Sequence, residues 1–351
     1  MSSRTFVGTR AFALKGTLLD SSTTQKLAET TSLEELVNRL RGTQYGDVLT
    51  TLAPPYSARR LELSFRERLA ETHHSILTSA DKYAILELYY RRHIAWDLKL
   101  ALKARALGKT YEETAEFLDM KAEALAGRRD LIVNVLSAKD VTEAVSMLSG
   151  TEFGGDAAKS LEAFNSKGDV RFFDVYIDHA VLTQISREYT DKPQVYSSSR
   201  ATDVAGVREM VTLDIDAYNT LAVLRSRLWG LPEQEAKQLI VSPTYRVSLA
   251  TLTRMADSES TSEAAKLLEP AYTVPALGAA GDEQLIDSLE ESFTREMRST
   301  ASRAFVWQGL SPSTALALVK LLEFEVGNLA AISIGVEAHM DPKNILSKLR
   351  L

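Results

Sequence analysis

The 351-residue chain contains no cysteine, which excludes disulfides, thiolate nucleophiles and cysteine-ligated zinc. It fits a reducing compartment. The chain also lacks any excess of basic residues. Its net charge of −6 argues against a general nucleic-acid binder, which would be basic. No stretch approaches the ~20 apolar residues needed to cross a bilayer. The best candidate, Leu316 to Val336, carries Lys320, Glu323 and Glu325. The opening MSSRTFVGTRAFALKG has no long apolar core, so no signal peptide is expected. The protein is therefore expected to be soluble, or to sit on a membrane by way of partners. There is no GxxxxGK[ST], no strand-led GxGxxG and no GxSxG. Nor is there a convincing strand run or an Asn-Gly or Asp-Gly hairpin turn, so an all-α fold is expected.

What is present is ordinary globular composition, 45% hydrophobic and 25% charged, arranged as an internal repeat. Leu316 to Met340 is an apolar-striped helix with Glu325 and Asn328 set into its middle. Val211 to Gly230 has Asp216 and Asn219 at the same separation. Ile85 to Gly108 has Asp97 where the asparagine would stand. The segments Leu33–Gly46 and Val141–Gly154 match at eight of fourteen positions, ungapped, at an offset of 108. Such periodicity marks a repeat architecture.

In chain order, Phe6 to Leu19 reads as a helix, broken at Asp20-Ser21-Ser22. Ser32-Leu-Glu-Glu35 is a capping box opening a short helix. Pro54-Pro55 ends that segment. Helical stretches over about 57–77 and 82–107 imply an antiparallel hairpin. Similar pairs follow at about 169–189 and 202–229, then at 282–307 and 312–340. The hairpins thus begin near 57, 169 and 281, two equal steps of about 112. Short helices close each pair, near 110–118, 232–240 and 342–349. Ser242-Pro243 reads as an N-cap and first-turn proline opening the third unit. The expected domains are residues 1–120, 121–241 and 242–351. Three similar units suit a pseudo-threefold, funnel-like packing around an axial hollow.

Candidate sites are few. Glu71-Thr-His-His74 has the Glu-x-x-His spacing of di-iron bundles, but such a site needs a second copy and two further carboxylates. No second copy exists, so an ordinary helix surface is expected and no metal site. Asp178-His179 are neighbours that cannot share a helix face; a solvated polar patch is expected. His93 and His339 are isolated in the sequence. The Asp216/Asn219 and Glu325/Asn328 pairs, three apart, each share a face. With Asp97 they read as an interhelix polar clasp that fixes how the units pack, with carboxylate acid–base chemistry as the alternative. Charge is uneven. Residues 57–110 hold eleven Lys/Arg against six Asp/Glu, and 256–300 hold three against ten. These are solvated helix faces, or surfaces for oppositely charged partners.

Four stretches together carry a family resemblance. They are Thr17-Leu-Leu-Asp20 running into Ser32–Leu49 with Tyr45-Gly46; Arg91–Gly108 with Thr110-Tyr-Glu-Glu113; Leu213-Asp-Ile-Asp-Ala-Tyr-Asn219 through Gly230; and Glu323–Pro342. In order, spacing and total length the chain resembles the C subunits of the archaeal and bacterial A/V-type ATPases, the counterparts of the d subunits of eukaryotic V-ATPases. It departs from that pattern at Asp97 (asparagine expected), at Ile94 (an acidic residue is common) and at His339 (in place of glycine). The resemblance implies a funnel of three helical domains with no activity and no cofactor of its own. It implies a central-stalk rotor component that joins the D and F stalk subunits to the membrane proteolipid (c/K) ring, in ATP-linked proton or sodium transport. It also implies a peripheral place on the cytoplasmic face of the cell membrane, held there through the ring. The alternatives are a free-standing helical scaffold, or a helical enzyme using a carboxylate in a central hollow.

Overall fold

A computed structural model describes residues 3–79, 83–191, 201–274, 281–307 and 309–351. Every regular element among them is helical. The first stretch of chain forms α1 (Ser3–Lys15), α2 (Ser21–Ala28), α3 (Leu33–Leu40), α4 (Gly46–Thr50), the long α5 (Ala58–Ser79) and α6 (Ala84–Ala106), α7 (Tyr111–Ala115) and α8 (Lys121–Leu125). Next come α9 (Arg129–Ser137), α10 (Val141–Ser146), α11 (Gly154–Lys167), the long α12 (Arg171–Asp191) and α13 (Ala201–Leu228), and α14 (Glu233–Gln238). The last stretch forms α15 (Leu249–Asp257), α16 (Thr261–Lys266), the long α17 (Asp282–Trp307) and α18 (Pro312–Glu337), and α19 (Pro342–Leu346).

The repeat is visible in local chemistry. Ser32, Asp140 and Ser260 stand at the N-caps of α3, α10 and α16, and each side chain accepts from the backbone N–H of a glutamate three residues on. Each cap satisfies a donor that the helix itself leaves free. The second helix of each hairpin ends alike. Lys109, Leu231 and Met340 N–H groups donate to Ala104, Ser226 and Gly335 carbonyls, all at 2.9 Å. This closure needs a left-handed residue just past the helix. Gly108, Gly230 and His339 supply it, with φ of 69°, 62° and 52°. The repeated Gly46 and Gly154 also have a cause. A Cβ there would lie 2.4 Å from the carbonyl oxygen of Arg41 or Leu148.

The six long helices pack as a closed circuit, α5 on α6, α6 on α12, α12 on α13, α13 on α17, α17 on α18, and α18 back on α5. The core runs through all of them as one continuous apolar cluster. α18 is its spine: Ala315, Leu316, Ala317, Leu318 and Val319 are fully buried in succession. The first turns of α18, buried all round, suit a central position.

Two expectations are corrected. The break expected at Asp20-Ser21-Ser22 falls earlier, because α1 ends at Lys15; Asp20 is the N-cap of α2 and accepts from Thr23 N–H at 2.6 Å. Ser242-Pro243 does not open a helix; α15 starts at Leu249, capped by Ser248. The intervening strip is held open because its donors are taken elsewhere. Val241 N–H goes to Asn219, and Arg246 N–H to Asp216.

Candidate functional site

Five of the six long helices, all but α5, line a cavity of about 830 Å³. Its wall carries both signs of charge: Arg92 and Lys99 from α6, Asp178 from α12, Asp214 from α13, Glu290 from α17, and Lys320 from α18. Trp96, Phe293 and Phe324 add apolar surface.

One polar junction on this wall joins all three hairpins. The Tyr89 hydroxyl on α6 donates to Asp214 Oδ2 at 2.5 Å. Lys320 Nζ on α18 reaches the same oxygen at 2.8 Å and sits 4.6 Å from the Tyr89 ring centre. Arg92 approaches Asp214 at 3.6 Å, and Lys320 approaches Glu323 at 3.5 Å. Lys320 is only 2% exposed, so these partners stand in for the water that burial removes. Burial raises the Asp214 carboxyl pKa, but Lys320 and Arg92 outweigh burial and hold it below the usual range. Sequence reasoning missed this junction. Arg92, Asp214 and Glu323 each stand five residues before the Asp97, Asn219 and Asn328 position. That register was the available signal.

Of the expected clasp residues, Asp216 and Glu325 lie in seams between hairpins, whereas Asp97, Asn219 and Asn328 meet partners in their own repeats. Neither Asp216 nor Glu325 lines the cavity wall. Asp216 is buried and accepts from the Tyr272 hydroxyl at 2.7 Å and the Arg246 N–H at 3.1 Å. Burial pushes its carboxyl up to about 6, even against those donors. Glu325 accepts from the Tyr45 hydroxyl at 2.7 Å, Gln44 Nε2 at 2.6 Å and Leu19 N–H at 2.5 Å. Burial raises it too. Tyr45 and Tyr272 follow the capped short helices α3 and α16, so each tyrosine reaches the carboxylate of the preceding hairpin in the circuit. At the remaining seam the corresponding residues are Phe153 and Ile94, both in the apolar core.

The asparagines work differently. Asn219 Nδ2 donates to Val241 O at 3.0 Å, and its Oδ1 accepts from Val241 N–H at 2.7 Å. Asn328 makes the same two bonds with Arg350, at 3.2 and 2.7 Å. Each side chain thus pins the chain 22 residues ahead. Asp97 has a different setting. Its carboxylate lies with those of Asp119 and Glu123, ligand atoms all within 4.8 Å. Burial, and then the neighbouring negative charges, raise Asp97 and Glu123.

The other candidates resolve plainly. Glu71 pairs with Lys121 at 2.7 Å. Asp178 and His179 point apart, to Lys99 at 2.8 Å and to Asp156 at 3.1 Å. His93 is not isolated. Its Nε2 meets His73 Nδ1 at 3.1 Å, while His73 Nε2 lies 3.0 Å from Leu86 O. Burial pushes both imidazoles down to about 3, so this is a neutral core pair. Part of the uneven charge is used inside the molecule: Lys103 pairs with Asp174 at 2.8 Å, Arg246 with Glu296 at 2.8 Å, and Arg225 with Glu290.

A family model described as ATP synthase (C/AC39) subunit matches residues 7–348. The chain belongs to that family. The A-type ATP synthase C subunit of Haloferax volcanii is 25% identical over 332 residues, covering 90% of this chain and 88% of that one. The corresponding C subunit of Methanocaldococcus jannaschii is 22% identical, covering 98% and 85%. That of Thermococcus onnurineus is 24% identical, covering 96% and 87%. The chain is thus similar to rotary ATP synthase components along nearly its whole length. No helix among the described residues is long and apolar enough to cross a membrane.

Proposed function

We propose that this chain is a non-catalytic central-stalk component of a rotary A/V-type ATPase. In this reading it couples a D/F stalk to the membrane proteolipid ring and so links ATP turnover to proton or sodium transport. The observation that carries the reading is the family match over nearly the whole chain. The architecture supports it. A closed circuit of long helices, five of them lining a cavity, suits a part that must pass torque between two partners. The three helical repeats act as domains 1–120, 121–241 and 242–351 in a pseudo-threefold funnel. Asp216 and Glu325 clasp two of the seams, Asn219 and Asn328 pin the end of their own repeats, and the junction at Asp214 ties the repeats where they meet. The chain works at the cytoplasmic face of the membrane, held through the ring.

The enzyme alternative is less well supported, because Asp216 is saturated by tyrosine and backbone donors away from the cavity. The test is to solubilise native membranes gently, capture the tagged chain and wash in high salt. Recovery of proteolipid subunits with stalk subunits is expected. A partnerless chain, or one bringing only unrelated proteins, overturns the reading.

A further inference from the structure

We propose that Asp97, Asp119 and Glu123 form a binding site for a hard divalent cation, with calcium the best fit. Three observations converge. First, the carboxylate ligand atoms all lie within 4.8 Å of one another. Two ligands across a calcium ion are separated by up to about 4.6–5.2 Å, twice the Ca–O distance. Second, Glu123 is fully buried, and neither of its side-chain oxygens has a hydrogen-bond donor from outside the cluster. A buried carboxyl in this setting is held neutral by a proton or, once ionised, by a positive partner. Third, the nearby basic side chains make their direct ion pairs elsewhere, and Arg66 reaches Asp97 and Asp119 only through space. Lys121 is held by Glu67 and Glu71 at 3.2 and 2.7 Å. Arg66 is held by Glu62 at 2.8 Å and lies over the Trp96 ring at 3.6 Å.

The backbone is shaped to this end. Met120 adopts a left-handed conformation with φ of 51°, so the chain turns between Asp119 and Glu123. Asp119 Oδ1 is fixed by the Lys121 N–H at 2.6 Å. The Tyr90 hydroxyl donates to Ala122 O at 3.1 Å and anchors the start of α8 on α6. Asp119 is only partly buried, which leaves room for water ligands and for entry. In the other two repeats the residue equivalent to Asp97 is asparagine, whose amide is used up on the backbone. Only the first repeat places a carboxylate there. The site would join α6 to α8 and stiffen the end of the first hairpin.

The test uses the full-length chain, stripped with EDTA and followed by thermal unfolding. Calcium at a hundredfold excess over its Kd is expected to raise Tm by about 3–4 °C for a chain of this size. Magnesium is expected to do less, because its shorter bonds need a tighter cage. Terbium should bind in place of calcium, with luminescence sensitised by Tyr90 and quenched on adding calcium. Asp97→Asn places in the first repeat the residue that the other two already use, so it should fold and lose the Tm response. Glu123→Gln should lose it as well. Loss in both variants with native-like unfolding supports the site. A wild-type chain that shows neither a calcium shift nor a terbium signal overturns it. So does a shift that persists in both variants.

Discussion

The seam between the first and second hairpins differs from the other two. At those two, a buried carboxylate receives a tyrosine hydroxyl: Asp216 from Tyr272 and Glu325 from Tyr45. At the first, Ile94 and Phe153 stand in the same places, both almost fully buried. The hydroxyl and the carboxylate are absent together. A buried polar group costs most when its partner alone is removed, so losing both leaves nothing orphaned. The asparagine position shows the opposite outcome. Replacing amide by carboxylate at Asp97 gave up the donating half of the grip on the backbone, keeping the Met120 N–H, and created an anionic cluster. One substitution closed the seam with apolar packing; the other opened a new electrostatic need.

The sharpest way to break this comparison is at the asparagine position. Asn219→Ala strands both backbone groups of Val241 and should cost about 2–6 kcal/mol in urea unfolding, at about 1–3 kcal/mol per orphaned group. Asp97→Ala in EDTA should cost less than about 1 kcal/mol, since it also relieves repulsion. Equal losses would contradict the contrast.

Next in size is a double-mutant cycle that copies the apolar seam into a polar one. Tyr272→Phe and Asp216→Val should each cost about 1–3 kcal/mol, because each leaves a buried partner unpaired. The double variant should fall short of their sum by about 1–2 kcal/mol. Strict additivity would mean that the tyrosine and carboxylate are not a unit.

A pH series sharpens the same seam. Asp216 is held at about 6, above the ordinary aspartate value of 3.8. The folded state therefore binds the proton more tightly than the unfolded state between those values. Stability contributed by Asp216 is present below about pH 4 and is lost as pH rises through about 6. Asp216→Asn should keep the acceptor and remove that slope, so the wild-type-minus-variant difference should change between about pH 4 and 6 and stay flat above about pH 7. The His73–His93 pair has the opposite sign, its folded pKa being depressed, but it is common to both proteins and cancels.

The smallest effect compares helix ends. His339 adopts the left-handed conformation that glycine adopts at Gly108 and Gly230. His339→Gly should therefore stabilise by about 0.5–1 kcal/mol, read as a small rise in the urea midpoint.

These contrasts also show what the sequence made legible. The long helices were readable within a few residues, because apolar periodicity, caps and stops all agree along them. The helices α8, α9, α11 and α15 were not: α8, α9 and α15 are too short to show a clear period, and α11 is made largely of small and polar residues that mark no apolar stripe. Asp216, Asn219, Glu325 and Asn328 were found from their repeated spacing, but their partners were not. Those partners are backbone groups 22 residues on and tyrosines from another repeat. The Tyr89–Asp214–Lys320 junction joins residues 125 and 106 apart, and no local pattern encodes such a meeting.

The coupling role is tested most directly by measuring ATP hydrolysis and ion uptake together in one reconstituted complex, with and without this chain. Omitting the chain is predicted to leave hydrolysis by the soluble head and to abolish ATP-driven ion uptake, and adding it back should restore uptake. Uptake that survives full removal of the chain would contradict the coupling role.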